Sequence, residues 1–221
     1  MSVIIVFVVM LAVPAAWWLS GQRLTAKPWL EEGSIGEFPG TGALSFPAAK
    51  IGLGVFAAVV GALFALILTA YLMRTQLADW TPLPKPPLLW VNSGVLILSS
   101  AGLQWARDAS DRGDMEDIKA GLRVGGLAAI AFLGGQIVVW RQLVSAGYFV
   151  ATSPASSFFY LITAMHGLHL LGGVMALTWT VGKVHRRCAA KEVRLSVELC
   201  ALYWYFLLLV WFFCFSLLLF T

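Results

Sequence analysis

Residues 156–182 read SSFFYLITAMHGLHLLGGVMALTWTVG, an apolar run that carries two histidines near its centre. The run exceeds the roughly 20 residues that a membrane-spanning helix needs. His166 and His169 lie three positions apart, a spacing that allows both side chains to share one face of a helix. Ionisable side chains inside a bilayer are costly, and they usually face protein or a cavity instead of lipid. The surroundings of this histidine pair are therefore the central question that the sequence raises.

The composition indicates an integral membrane protein. The chain has 221 residues, of which 60% are hydrophobic and only 12% are charged, whereas soluble domains carry about 25% charged residues. The mean hydropathy is +0.84, and no polar stretch between the apolar runs is long enough to bury an aqueous core. The net charge of +4 lies mainly in loops. It therefore indicates membrane topology, and we expect no nucleic-acid partner.

Six apolar runs approach or reach spanning length, which predicts an all-α integral membrane helical bundle with about six transmembrane helices. The first run is short, contains Pro14 and lacks the basic start of a cleaved signal peptide, so we expect a retained anchor helix. The chain then divides into an N-terminal anchor and loop, residues 1–49, and a five-helix membrane domain, residues 50–221. The runs cover roughly residues 3–20, 51–73, 86–106, 121–140, 156–182 and 198–220.

The distribution of lysine and arginine predicts the orientation of the chain. With six spans, residues 21–50, 107–123 and 183–194 lie on one side and hold twelve of the fifteen Lys and Arg residues. Positive residues stay on the cytoplasmic side, so both termini are predicted to be periplasmic. We expect Arg186 and Arg187 to lie at the level of the lipid headgroups.

Four roles remain open for the histidine pair. A buried bis-histidine haem would need a ligand from a second helix, and the only other histidine, His185, lies in a basic loop at the membrane edge. Two histidines also leave a zinc or copper site short of donors. A proton relay would suit histidine, with Glu198 as the lone acidic candidate. We favour a structural role, in which the rings form hydrogen bonds to neighbouring helices or lipid headgroups.

Two motifs resemble those of subunit III of the haem–copper oxidases. SFFYLITAMHGLHLLGG is similar to the family's F-x-x-T-G-x-H-G-x-H-V-x-x-G, and VELCALYWYFLLLVWFFCF is similar to its E-x-x-x-x-Y-W-H-F-V-D-V-V-W. The resemblance extends over residues 50–221, where a glycine-rich pattern in the fourth run includes Gln136. The matched positions in the two motifs are Phe158, Phe159, Thr163, His166, Gly167, His169 and Gly172, then Glu198, Tyr203, Trp204, Phe206, Val210 and Trp211.

Three positions depart from the family pattern. Tyr205 replaces a histidine, Leu208 replaces an aspartate, and Val60 replaces an intramembrane glutamate. Each exchange leaves a group that is neutral at physiological pH, so any support for proton uptake that depends on these positions is weakened. Family members usually have seven or five helices, whereas this chain is predicted to have the five-helix core plus one N-terminal span.

The resemblance implies a non-catalytic accessory subunit of a proton-pumping terminal oxidase, the complex that reduces dioxygen to water in aerobic respiration. It implies no haem or copper in this chain, and both in the partner subunits. It further implies direct packing against subunit I, with subunit II and other small subunits in the same bacterial inner-membrane complex, and phospholipid in a cleft. Cytochrome c and quinol both remain open as the electron donor. The residues expected at lipid or subunit contacts are His166, His169, Glu198, Tyr203, Trp204, Trp211 and Gln136.

Two alternatives remain at this point. The chain could serve a nitric oxide reductase as a subunit III-like accessory protein, because nothing in the sequence separates the two enzymes. It could instead be a redox-inert anchor of another respiratory complex, or a small transporter. A transporter usually shows an internal repeat or a pair of broken helices, and the sequence shows neither.

Overall fold

The structure, a computed structural model, describes residues 48–185 and 190–220. Within these ranges the chain forms five long α-helices and no strand, and each helix contains a segment long and apolar enough to cross a membrane. The prediction of an all-α membrane bundle is confirmed for this part of the chain. The predicted first span and the basic pair Arg186 and Arg187 lie outside the described residues. The helices are α1 (Ala48–Arg74), α2 (Leu88–Arg112), α3 (Met115–Ser145), α4 (Pro154–His185) and α5 (Ala190–Phe220).

The helices extend beyond the apolar runs, most clearly between α2 and α3. The mixed-charge sequence predicts a loop over residues 107–120, but only Gly113 and Asp114 separate the two helices. Gly113 has a φ of 77°, a left-handed conformation that glycine adopts without strain. The Asp114 side chain accepts hydrogen bonds from the backbone N–H groups two and three residues further on, which caps α3. Hydropathy marks only the part of a helix inside the hydrocarbon, so it misses the charged turns outside.

Helices α2, α3, α4 and α5 form a bundle in which consecutive helices are in contact and α5 also contacts α2. The closest approach is between α2 and α3. A Cβ atom added at Gly121 would lie 2.6 Å from the backbone nitrogen of Ala106, so no larger residue fits at this crossing. Small residues at membrane helix interfaces allow this kind of backbone approach.

Helix α1 lies against α4 and α5 through aromatic side chains. The Phe64 ring is 5.5 Å from the ring of His169 in α4, measured between centroids. The Phe56 ring is 5.9 Å from the ring of Tyr203 in α5. These contacts place α1 beside the helix that carries the histidine pair.

Polar contacts at one end of the bundle hold the connection between α1 and α2. Arg74 forms an ion pair with Asp79, with a 2.6 Å hydrogen bond from Nη1 to Oδ1. This hydrogen bond to the guanidinium holds the pKa of the Asp79 carboxyl below its usual value. The Lys85 ammonium donates to the backbone carbonyl of Leu219. The start of α2 and the end of α5 therefore lie together.

Candidate functional site

His166 lies in the interior of the bundle, where α1, α3 and α5 all reach α4. Its side chain has no exposed surface. The ring is packed among Phe64, Phe132 and Trp211, at centroid distances of 6.4, 5.7 and 4.9 Å. Neither ring nitrogen has a hydrogen-bond partner among the described residues. The sequence predicts hydrogen bonds from this ring, whereas the structure shows aromatic packing.

His169 also touches Phe64, but it faces the edge of the bundle. Its Nδ1 lies 2.7 Å from the carbonyl oxygen of Met165, within the same helix. His169 contacts α5 through its backbone, because its carbonyl accepts a 3.1 Å hydrogen bond from the hydroxyl of Tyr203. The two histidines thus share one aromatic neighbour and have different surroundings.

An apolar cleft of about 320 Å³ opens between α1, α4 and α5. Its walls are aliphatic and aromatic side chains, with the imidazole of His169 and the ring of Tyr203 among them. Such a cleft can hold a flexible hydrocarbon chain, provided that any polar group remains outside. Residues from all three helices contribute to it, including Leu53, Phe56, His169, Gly172, Leu199 and Tyr203.

Charged side chains gather beside one end of this cleft. The Glu198 carboxylate accepts a 2.7 Å hydrogen bond from Lys50, and its Oε1 lies 3.9 Å from Nη2 of Arg107. Lys183 donates to the hydroxyl of Ser196 at 3.1 Å, at the same ends of α4 and α5. Glu198 contacts two of these three cations. Positive charge beside the cleft favours an anionic group at its mouth.

Trp204 and Trp211 connect α5 to α2 through their indole N–H groups. Trp204 Nε1 donates to the Ser99 hydroxyl at 2.8 Å, and Trp211 Nε1 donates to the Ser93 hydroxyl at 2.9 Å. Both rings are almost fully buried. The Ser99 hydroxyl donates in turn to the carbonyl of Gly125 at 2.6 Å, which extends the connection to α3.

Gln136 takes part in a second buried polar contact, between α3 and α2. Its Oε1 accepts a 3.3 Å hydrogen bond from Nδ2 of Asn92, which also donates to the carbonyl of Phe132 at 3.1 Å. The Gln136 Nε2 atom has no hydrogen-bond partner among the described residues. This amide therefore contacts another helix of its own chain.

The part of the chain that contains the histidine helix and the paired tryptophans matches a known family. The family model described as cytochrome c oxidase subunit III matches residues 52–221. The chain belongs to this family. The resemblance seen in the two motifs is confirmed, and the five described helices support a multi-pass membrane protein.

Curated relatives carry the same subunit name. The probable cytochrome c oxidase subunit 3 of Mycobacterium tuberculosis is 31% identical over 117 residues, which cover 53% of this chain and 58% of the relative. The chain therefore matches little more than half the length of that relative. Cytochrome c oxidase subunit 3 of Thermostichus vulcanus is 27% identical over 173 residues, 76% of this chain and 85% of the relative. Subunit 3 of the cytochrome bo(3) ubiquinol oxidase of Pseudomonas aeruginosa is 26% identical over 153 residues, 67% and 73% of the two chains.

The three departures from the family pattern lie in different surroundings. Val60 is buried in α1, and Leu208 packs against the core of the bundle. Tyr205 is 41% exposed, and its hydroxyl donates to Oε1 of Gln104 at 2.8 Å. Two of the replaced ionisable positions therefore lie within this chain, and one lies on its outer surface.

The donor set for a metal ion is limited in the described part of the chain. No group of three or more His, Cys, Asp or Glu side chains there could hold a metal ion. His185 is exposed near the end of α4, and its Nδ1 lies 2.9 Å from the carbonyl of Val181. It is nineteen residues from His166, about 28 Å along the helix, so the two cannot ligate one haem within this chain.

The sequence analysis does not predict the contact between Lys50 and Glu198. The two residues are separated by 148 positions, so only the tertiary fold brings them together. The sequence contains one indication of this contact. Glu198 lies just inside an apolar run, and an acid in that position needs a cation nearby. Sequence alone could not say which of the many basic residues supplies it.

Proposed function

We propose that this chain is the accessory subunit III of a proton-pumping haem–copper terminal oxidase in a bacterial inner membrane. The observation that carries the proposal is the family match over residues 52–221. The five-helix domain, residues 50–221, packs against the catalytic subunit I, which holds haem and copper. Subunit II and small subunits belong to the same complex, and residues 1–49 add an anchor and a loop. The chain supports assembly and proton uptake and leaves dioxygen reduction to its partner.

The intact complex offers a direct test of this assignment. Purification through an affinity tag on this chain should recover a large haem-containing subunit, and the preparation should consume dioxygen. Assays with reduced cytochrome c and with quinol would identify the electron donor, since relatives are named for oxidases of both kinds. Consumption of nitric oxide in place of dioxygen would assign the chain to a reductase. Recovery of the chain without any haem protein would contradict the proposal.

The cleft between α1, α4 and α5 is, in this proposal, a phospholipid site. Its apolar walls suit an acyl chain, and the cations beside its end suit the phosphate. Lys50 and Arg107 both approach Glu198, so the carboxylate positions two donors while their remaining N–H groups stay available. Charge-assisted hydrogen bonds from such groups to phosphate oxygens are among the stronger ones in proteins. His169 and Tyr203 line the part that would hold the acyl chain.

Two glycines of α4 provide a matched test of lipid binding. A Cβ atom added at Gly172 or at Gly182 would meet no heavy atom within 4 Å, so a side chain can leave the backbone at either position without a clash at Cβ. Only Gly172 is among the residues found to line the cleft. Native mass spectrometry of the complex should show loss of a bound phospholipid in Gly172→Phe and retention in Gly182→Phe. Equal retention in the two variants would contradict a lipid site in this cleft.

A further inference from the structure

Three polar side chains form a hydrogen-bonded row on the outer surface of α2 and α5. The Tyr205 hydroxyl donates to Oε1 of Gln104 at 2.8 Å, and Nε2 of Gln104 donates to Oδ1 of Asp108 at 2.8 Å. Tyr205 and Asp108 are exposed, and Gln104 is half-buried. We call these three side chains the polar row. None of its three side chains is among the residues that line the cleft between α1, α4 and α5.

Part of the polar row lies at the depth of the hydrocarbon. Helix α2 has 25 residues, or about 37 Å at 1.5 Å per residue, whereas the hydrocarbon layer is about 30 Å thick. Gln104 precedes the end of the helix by eight residues, about 12 Å, and therefore lies inside that layer. Asp108 is about 6 Å from the end and lies near its boundary.

Lipid hydrocarbon cannot form hydrogen bonds with the polar row. Polar side chains within a membrane usually face protein or a water-filled cavity. Among the described residues, the second amide N–H of Gln104 and the Oδ2 oxygen of Asp108 have no hydrogen-bond partner. Exposed apolar side chains accompany the row on both helices, and either lipid or another membrane helix can cover them. These are Leu98 and Trp105 on α2, and Leu202 and Leu209 on α5.

Asp108 indicates the chemistry of the neighbour. No side chain that the structure describes forms an ion pair with it, whereas Asp111, on the same helix, pairs with Arg194 at 2.8 Å. A carboxylate close to hydrocarbon is stabilised by a cation, so the partner should supply one. A phospholipid phosphate is negative and would be repelled.

We propose that the polar row is the docking surface for a transmembrane helix of the catalytic subunit, and that this helix presents an arginine or lysine to Asp108. The inference rests on the proposed function, because that function supplies the partner. The apolar flanks pack against the same helix, and the amide of Gln104 adds a hydrogen bond that fixes the register of the two helices.

Photo-crosslinking in native membranes tests the location of this surface. The photoreactive residue p-benzoylphenylalanine at position 205 replaces one aromatic side chain with another, and the same residue at position 179 replaces Trp179, which is 76% exposed on α4. We expect position 205 to crosslink to a helix of the catalytic subunit that carries Arg or Lys, and position 179 not to do so. Crosslinks from position 205 only to lipid, to a second copy of this chain or to a different subunit would overturn the proposal.

Asp108→Asn and Asp111→Asn provide a matched pair for the charge. Asp108→Asn should speed dissociation of the catalytic subunit from the tagged chain by roughly tenfold or more, since it removes one partner of a desolvated ion pair. Asp111→Asn should leave the rate near that of wild type. If Asp108→Asn does not accumulate in the membrane, Tyr205→Phe, which removes one hydroxyl, should still raise the rate severalfold.

The outcomes separate the two proposals. If the unmodified tagged chain recovers no haem–copper subunit, the proposed function is wrong. If it recovers that subunit, and Asp108→Asn releases it no faster than Asp111→Asn does, only the docking surface is wrong.

Discussion

At the scale of single residues, the polar groups of the described helices are mostly paired within the chain. The indoles of Trp204 and Trp211 each donate to a serine of α2. The structure buries both rings, and Trp204 is also among the residues that line the cleft between α1, α4 and α5. Contacts of these tryptophans with lipid or a partner subunit stay a prediction. Hydropathy and motif spacing identify such residues as important. They do not identify the hydrogen-bond partner, which depends on how two helices are rotated against each other.

A double-mutant cycle measures the contact between Trp204 and Ser99. Trp204→Phe and Ser99→Ala each remove the hydrogen bond, so their combination should show a coupling energy above the average of about 0.6 kcal/mol for membrane helices and up to their maximum of about 1.7 kcal/mol. The crossed pair, Trp211→Phe with Ser99→Ala, should be additive within about 0.5 kcal/mol. Unfolding of the complex in detergent by added SDS provides the free energies. Equal coupling in the two cycles would show that the described pairing is wrong.

His166 provides a second prediction at this scale. Its ring nitrogens have no described partner, so His166→Phe removes two unsatisfied polar atoms and keeps an aromatic ring between Phe132 and Trp211. We expect the free energy of unfolding to be at least that of wild type. His166→Ala should lower it by about 3 kcal/mol or more, because it leaves a cavity. If His166→Phe is as unstable as His166→Ala, the nitrogens bind a group such as a buried water.

At the scale of helices, the sequence predicts the number of described spans and not their ends. Each apolar run from residue 51 onward corresponds to one helix, because the hydrocarbon requires about 20 apolar residues wherever a helix crosses it. The helical turns outside the bilayer do not have to be apolar. Where each helix ends therefore depends on local features such as the Asp114 cap and the left-handed Gly113.

Two glycines of α3 test the packing of α3 against α2. An added Cβ at Gly121 would lie 2.6 Å from the backbone of α2, whereas one at Gly134 would meet nothing within 4 Å. Gly121→Ala should therefore lower the free energy of unfolding by about 1 to 3 kcal/mol through overpacking. Gly134→Ala should raise it by up to about 1 kcal/mol, because alanine favours the helix more than glycine does. Similar effects at both positions would contradict the close approach of these two helices.

At the scale of the whole molecule, basic side chains from distant segments meet at one end of the bundle, and the orientation of that end in the membrane stays a prediction. The structure brings Lys50 and Arg107 together beside Glu198 at one end, and these two cations belong to segments predicted to be cytoplasmic. The cleft between three helices was implied only by the family resemblance. Its lining comes from residues more than 140 positions apart, so no local pattern in the sequence encodes it.

Reporter fusions test the orientation in the membrane. Twelve of the fifteen Lys and Arg residues lie in segments on one predicted side, which should be cytoplasmic. Alkaline phosphatase fused after residue 221 should be active, because the enzyme matures only in the periplasm, and the same enzyme fused at Gly113 should be inactive. Green fluorescent protein should give the opposite pattern. An active phosphatase at Gly113 would reverse the assigned orientation.

The two-residue turn at Gly113 and Asp114 also bears on how the chain is made. Two membrane helices joined so closely cannot enter the bilayer independently. The two-residue connection is too short for one helix to cross the membrane while the other remains outside. Their glycine-lined contact involves neighbours along the chain, so it closes a small loop at low entropic cost. Helices α2 and α3 should therefore be inserted together during translation, as a hairpin on which the later helices assemble.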